Sequence, residues 1–176
     1  MPEFVESLRD KYGAFSGTAC CSGVTELAPL RALDEVNMKK LFDINYYVPL
    51  FLAKGFVKKG MNIGRGSSFV SIASIAYAYP AKGVITYSGS KAALVTSMKA
   101  IALEYAPKGI RFNVVSPSDV KTPMTDNISE IMAQVEHNYP LGFAEPNDVA
   151  SMIVYLLSSD AKWITGQNYI LDCCSR

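Results

Sequence analysis

Short apolar runs of strand length alternate with longer amphipathic runs of helix length, and this alternation limits the fold more than any other feature. Residues 17–21, 68–72, 110–116 and 168–171 read as strands, short and bounded by turn-forming residues. Helical stretches lie between them. Residues 33–59 place Leu41, Ile44, Val48 and Leu52 on one stripe; residues 85–105 do the same with Leu94, Met98, Ile101 and Tyr105. Pro146 opens a helix that runs to Leu157, in the first-turn position that proline favours. A short helix over residues 4–12 precedes the first strand and stops at Gly13. Strands alternating with helices predict an α/β fold with a parallel sheet flanked by helices. Ligands of such sheets bind beyond the carboxyl ends of the strands. The chemistry should therefore follow Cys21, Ile72 and Ser116.

Composition narrows the class. A chain of 176 residues, 49% of them hydrophobic, suits a single domain over residues 1–176 with a sizeable core. Ten tyrosines argue against disorder. The net charge is +1 and no Lys/Arg cluster stands out, so no nucleic-acid partner is expected. No apolar run reaches the roughly 18 residues of a membrane-spanning helix, so no membrane partner is expected either. The opening Met-Pro-Glu-Phe-Val-Glu-Ser lacks a basic-then-apolar signal, and a cytoplasmic location is the expectation. The cysteines form two adjacent pairs, Cys20-Cys21 and Cys173-Cys174, a pattern of neither a zinc site nor a disulfide framework. Free thiols and no metal site are expected.

Ala73-Ser74 follow the second strand. Tyr87 comes thirteen positions after Ser74, and Lys91 four after that, in Tyr-Ser-Gly-Ser-Lys. The spacing of four puts Tyr87 and Lys91 on one helix face. An ammonium beside a phenol favours the phenolate and lowers a pKa that is ordinarily about 10. Such a phenol gives or takes a proton near neutral pH, as general acid–base catalysis requires. The Ser74 hydroxyl at the strand end can hydrogen-bond the substrate oxygen. Alone, the pair reads first as a surface i,i+4 contact; its surroundings change that. Pro49 has no N–H, so the carbonyl of Asn45, four residues earlier, loses its helical partner and can bind a water. Alone, that is an ordinary helix kink.

Together these motifs resemble the short-chain dehydrogenase/reductase family, of the 3-oxoacyl-carrier-protein-reductase-like kind, from Phe4 to Asp172. The family's serine, twelve residues and Tyr-x-x-x-Lys are met by Ser74, Tyr87 and Lys91. Ile110-Arg111-Phe112-Asn113-Val114-Val115-Ser116-Pro117 is similar to its strand entering the nicotinamide-side loop, which Val120 to Met124 continue. Glu145-Pro146-Asn147-Asp148-Val149-Ala150 and Ile164-Thr165-Gly166-Gln167 match two further landmarks in order. The resemblance implies a truncated Rossmann-type sheet, NAD or NADP as cofactor and a small-molecule carbonyl/alcohol substrate. It implies that Tyr87 moves the proton, Ser74 positions the carbonyl oxygen, and Lys91 holds the nicotinamide ribose and lowers the tyrosine pKa. Asn45 would complete a proton relay through a bound water. Val120 and Thr122 would meet the carboxamide, with Ser22 and Gly23 near the adenosine half. A homo-oligomer paired through the two long helices is also implied.

The chain departs from the family pattern in places. Full-length members open with a strand, a Gly-x-x-x-Gly-x-Gly turn and a helix whose N-terminus meets the pyrophosphate. Gly60-Met61-Asn62-Ile63-Gly64-Arg65-Gly66 has those letters but follows a helix and precedes a strand, the reverse order, and is read as a loop. The chain therefore reads as the C-terminal portion of the fold, short by about 60–80 residues. Weak dinucleotide binding and an open sheet edge at residues 17–21 are expected. The reading that follows is an NAD(P)-dependent oxidoreductase interconverting a ketone and a secondary alcohol; the alternative is a catalytically silent fragment or assembly subunit. The family's Asn-Asn-Ala-Gly is here Cys20-Cys21-Ser22-Gly23, and its Pro-Gly is Pro117-Ser118, where serine accepts positive φ less readily than glycine. Cys173-Cys174 replace its closing glycines. His137 receives no role. The segment between Met124 and Tyr139 is expected to set substrate choice and carries no recognisable code.

Overall fold

The computed structural model describes residues 2–126 and 134–175. Four strands, β1 (Gly17–Cys20), β2 (Ser68–Ile72), β3 (Arg111–Pro117) and β4 (Asn168–Leu171), lie side by side in chain order. Each neighbouring pair is parallel. The helices are α1 (Pro2–Tyr12), α2 (Glu35–Phe42), α3 (Val48–Phe56), α4 (Ile85–Tyr105), the short α5 (Pro123–Asp126) and α6 (Pro146–Leu157). The expected α/β architecture is observed. Boundaries differ by a residue: β1 ends at Cys20, and β3 begins at Arg111 and takes in Pro117. Residues 60–66 form the loop from α3 to β2.

The layers follow from the alternation of side chains along each strand. Phe69 and its register partner Phe112 face α3 and α4, with ring centroids 5.3 Å apart. Phe56 of α3 and Tyr105 of α4 close on them at 5.7 and 5.9 Å. Leu94 and Met98 complete this side of the core, as their stripe predicts. Val70 and Val115 face the opposite way, against Val149 and Leu156 of α6. Lying between the two layers, β3 is buried along its whole length, so its polar residues Arg111, Asn113 and Ser116 are buried with partners. Gly55 lets α1 close on α3, since a Cβ there would stand 2.8 Å from a methyl of Val5.

The single helix expected over residues 33–59 is in fact three pieces. Asp34 caps α2, accepting hydrogen bonds from the backbone N–H groups of Val36 and Asn37. A π-helical turn, Asp43–Tyr47, then separates α2 from α3. The wider turn changes the helix phase. Buried positions run through Leu41, Asn45, Pro49, Ala53 and Phe56, and the expected stripe through Ile44, Val48 and Leu52 is displaced. Pro49 supplies the cause: it offers no N–H to Asn45, and its ring crowds the carbonyl four residues back.

No helix among the described residues is long and apolar enough to cross a membrane. All four cysteines are free. The attachment of β4 and the end of α6 depend on two polar residues of β3. Arg111 donates to the carbonyls of Leu156 at 2.7 Å and Ser158 at 3.0 Å, which close α6. Asn113 donates to the carbonyl of Ile164 at 2.9 Å and accepts from the N–H of Gln167 at 3.1 Å. A hydrogen bond to a charged group is worth about 1.5–3 kcal/mol. Arg111→Met is therefore expected to cost about 3 kcal/mol in urea unfolding, with faster amide exchange at the C-terminal end of α6.

Candidate active site

Ser74, Tyr87 and Lys91 meet at the carboxyl edge of the sheet, beyond β2. Ser74 caps a 3-10 turn, its hydroxyl accepting from the N–H of Ala76 at 3.2 Å. Tyr87 lies in the first turn of α4, near enough to Ser74 for the serine hydroxyl to act on its phenol. Lys91 comes one turn later and is only 3% exposed. Its ammonium donates to the carbonyl of Ile72, the last residue of β2, at 3.1 Å, and lies 5.8 Å from the centre of the Tyr87 ring. A Cβ at Gly23 would stand 3.3 Å from that ammonium and 3.6 Å from the Asn45 carboxamide oxygen, so a larger residue would make the ammonium give by a few tenths of an ångström.

Asn45 is completely buried in the π-turn. Its carboxamide oxygen accepts from the N–H of Val24 at 2.8 Å. Its amide donates to the carbonyl of Val24 at 2.9 Å and to the Ser90 hydroxyl at 3.1 Å. Ser90 in turn donates to the carbonyl of Tyr87 at 2.7 Å. The loop after β1, the π-turn and the first turn of α4 are thus joined through one side chain. Sequence reasoning overlooked Ser90, although its place between Tyr87 and Lys91 on the inner face of α4 was a signal.

The electrostatics differ from expectation. Burial, the largest effect, pushes the Tyr87 phenol above its usual value; the Ser74 hydrogen bond pulls it down, and the Asp119 carboxylate pushes it further up. The expected lowering by Lys91 is not what governs this phenol. Burial has pushed Lys91 itself down to about 8, against the opposing effect of Cys20 and Cys21. The sequence offers the spacing of the two groups but not their shared desolvation.

Beyond β3, Val120 forms a bridge with Ala144, and the N–H of Lys121 donates to the carbonyl of Ala144 at 2.9 Å. Thr122 follows just before α5. Ser22, half-buried, shares a 3.4 Å hydrogen bond with the thiol of Cys20. The part of the 124–139 segment that covers residues 127–133 lies outside the described residues.

A family model described as enoyl-(acyl carrier protein) reductase matches residues 1–173. The chain belongs to the short-chain dehydrogenase/reductase family. It is 31% identical to the 3-oxoacyl-[acyl-carrier-protein] reductase of Thermotoga maritima, covering 97% of this chain and 70% of that one. It is 35% identical to the cyclohexanol dehydrogenase of an Acinetobacter species, covering 81% of this chain and 53% of the relative. A solved structure of 4-hydroxyisoleucine dehydrogenase complexed with NADH superposes with a TM-score of 0.85 at 28% identity, covering 97% of this chain and 72% of that one. The chain spans about half to two thirds of the length of the curated relatives with the strongest matches.

Where this short-chain dehydrogenase/reductase departs from the family pattern, the strain falls on one of the two sites. Ser118, in place of glycine, has no positive φ. Cys173 and Cys174, in place of the closing glycines, do, at 51° and 59°. The motif at residues 164–167 acts as a stitch, with Thr165 accepting from the N–H of Phe112 at 3.1 Å and the N–H of Gly166 donating to its carbonyl at 2.7 Å. His137 is exposed in a 3-10 turn, Glu136–Asn138. Removing the Asn45 carboxamide would leave both polar groups of Val24 without their partner, at about 1–3 kcal/mol for each buried group left unpaired. Asn45→Ala is expected to lose about 3 kcal/mol in chemical denaturation, with amide shifts in an NMR spectrum concentrated at Gly23, Val24 and Ser90.

Proposed function

We propose that this chain serves an NAD- or NADP-dependent oxidoreductase that interconverts a ketone and a secondary alcohol. The observation that carries the reading is the grouping of the Tyr87 phenol, the Ser74 hydroxyl and the buried Lys91 ammonium, at the carboxyl edge of a parallel sheet. Residues 1–176 are read as one domain, the C-terminal portion of the family fold. The NADH complex of 4-hydroxyisoleucine dehydrogenase supports the choice of cofactor.

The residues present suit the nicotinamide end of such a cofactor. Lys91 has three N–H donors, and the carbonyl of Ile72 takes one, so two are left for the hydroxyls of a ribose. Gly23 keeps the space over that ammonium clear of a side chain. Val120 and Thr122 stand on the adjoining loop as the groups for the carboxamide, with Ser22 and Gly23 toward the adenosine half. When bound, the cofactor supplies or takes up the hydride.

The chain's own side chains handle the oxygen and its proton. Tyr87 gives its phenolic proton to the carbonyl oxygen in reduction and removes it from the alcohol in oxidation. Ser74 donates a hydrogen bond to the same oxygen. Lys91 holds the ribose and stabilises the phenolate as it forms. Asn45 is the relay residue, its backbone carbonyl opposite Pro49 being the acceptor for a water. Exposed apolar side chains on α2, α3, α4 and the π-turn, among them Val36, Tyr47, Phe51 and Leu103, support self-association through these helices.

Tyr87→Phe removes only the ionisable oxygen. It is expected to lower nicotinamide-coupled ketone reduction at least about 100-fold, with an unchanged circular-dichroism spectrum; near-normal turnover removes Tyr87 from the chemistry, whereas no turnover by the unaltered protein favours a silent assembly subunit. The pH dependence tests Lys91. Its ammonium is present below about 8 and is lost above it. The Tyr87 phenol, pushed up by burial, keeps its proton through that range. Reduction should therefore decline as pH rises through about 8. Lys91→Met should abolish that decline and weaken cofactor binding in a fluorescence titration; an unchanged profile and affinity would make Lys91 purely structural.

A further inference from the structure

We infer that Asp119 sets substrate choice: its carboxylate, held by Tyr139, favours carbonyl substrates with a hydroxyl or ammonium donor near the reacting carbon and rejects those with a carboxylate or phosphate there. This rests on the ketone/alcohol reading above.

Position comes from the sheet register. Ile72 pairs with Val115, and the N–H of Ala73 donates to the carbonyl of Val115 at 2.8 Å. Beyond this pairing β2 gives way to Ser74 and β3 runs on to Pro117, with Asp119 two residues further on the same carboxyl edge. The carboxylate acts on the Tyr87 phenol, disfavouring its ionisation. Asp119 therefore lies on the carboxyl edge that carries Ser74 and Tyr87, near enough for its charge to act on the phenol.

A hydrogen-bonded chain fixes the carboxylate. The Ser118 hydroxyl donates to the Tyr139 phenol at 3.1 Å, and Tyr139 donates to Oδ2 of Asp119. The N–H of Asp119 donates back to the Ser118 hydroxyl at 2.6 Å. Burial, and then the bond to Asp119, push the Tyr139 phenol up, so it stays a donor at neutral pH. The Tyr139 ring packs 4.6 Å from Phe143, centroid to centroid, and the N–H of Ala144 reaches the carbonyl of Asp119 at 3.3 Å.

The charge is not cancelled. Lys121, two residues on, is engaged by Glu145 at 2.9 Å, and no Lys or Arg among the described residues forms an ion pair with Asp119. A carboxylate has about four acceptor positions, and among the described residues one side chain, the Tyr139 phenol, occupies one of them. Asp119 is half-buried, so the remaining positions are open to a ligand with a donor to offer. A second anion there would meet like-charge repulsion in a partly desolvated site, where a few kcal/mol is the natural scale.

The test uses three ketones of matched size: a hydroxyketone, an aminoketone and a 2-oxo acid. Their kcat/KM values are measured with NADH and NADPH, and their binding by saturation-transfer NMR. The wild-type protein should favour the first two over the oxo acid by about tenfold or more. Asp119→Asn should raise the oxo acid about tenfold, lower the aminoketone by a similar factor and lower the hydroxyketone only about threefold. Tyr139→Phe keeps the charge, so it should retain discrimination against the oxo acid while weakening the hydroxyketone. Equal loss for both donor-bearing ketones in Asp119→Asn would point to distortion of the site and overturn the charge argument. So would a wild-type ratio unchanged in that variant. If no ketone turns over, the NMR binding ratios decide by the same criteria, and failure of all three to bind overturns the inference. Tyr87→Phe tests the carbonyl chemistry separately, since loss of turnover there alongside unchanged Asp119→Asn ratios would leave that chemistry standing and remove Asp119 from it.

Discussion

The buried carboxamide of Asn45 joins three parts of the chain, the loop after β1, the π-turn and the first turn of α4. It satisfies both backbone groups of Val24 and the hydroxyl of Ser90. Ser90 passes the constraint to the carbonyl of Tyr87. A buried amide with its groups paired is stable, whereas the same groups left unpaired are costly. The loop after β1 and the start of α4 are therefore fixed relative to each other by polar geometry that tolerates little drift. Apolar packing of Phe56, Phe69 and Phe112 lies below this point and holds the helices on the sheet. It carries no comparable directional information.

The position of Asn45 depends on a break in the helix. An unbroken α-helix would have kept the stripe through Ile44, Val48 and Leu52 facing inward. The π-turn rotates Asn45, Pro49 and Ala53 into the buried positions instead. Asn45 thereby faces the loop at Gly23, where a Cβ would already crowd Lys91. The local irregularity and the candidate site share one cause, a proline whose missing N–H leaves the helix to widen.

Most of the fold was legible in the sequence because it rests on periodicity. The extents of β2, β4, α4 and α6 agree with the pattern of apolar residues and with Pro146. The residues joining at the site were legible as Ser74, Tyr87 and Lys91 because their spacing survives as proximity. Less legible was anything set by the third dimension. Period counting cannot see a π-turn. It cannot see that Lys91 loses its water as well as gaining a neighbour, which reverses the expected electrostatics. Nor can it pair Asp119 with Tyr139, which are 20 residues apart and belong to no motif.

The side-by-side order of the strands bears on how the chain is made. β1 to β4 sit in the sheet in the order in which a ribosome releases them. Each strand finds its partner already placed, and the helix between them covers a face before the next strand appears. The longest wait is at β3. Its second edge waits for β4 across about fifty residues of further synthesis, a matter of several seconds at roughly 5–20 residues per second. During that interval the strand that is fully buried in the finished protein has an open row of amides and carbonyls. Arg111 and Asn113, the two polar side chains of β3 that bond to the segment between α6 and β4, then act as the latch that ends the exposed period.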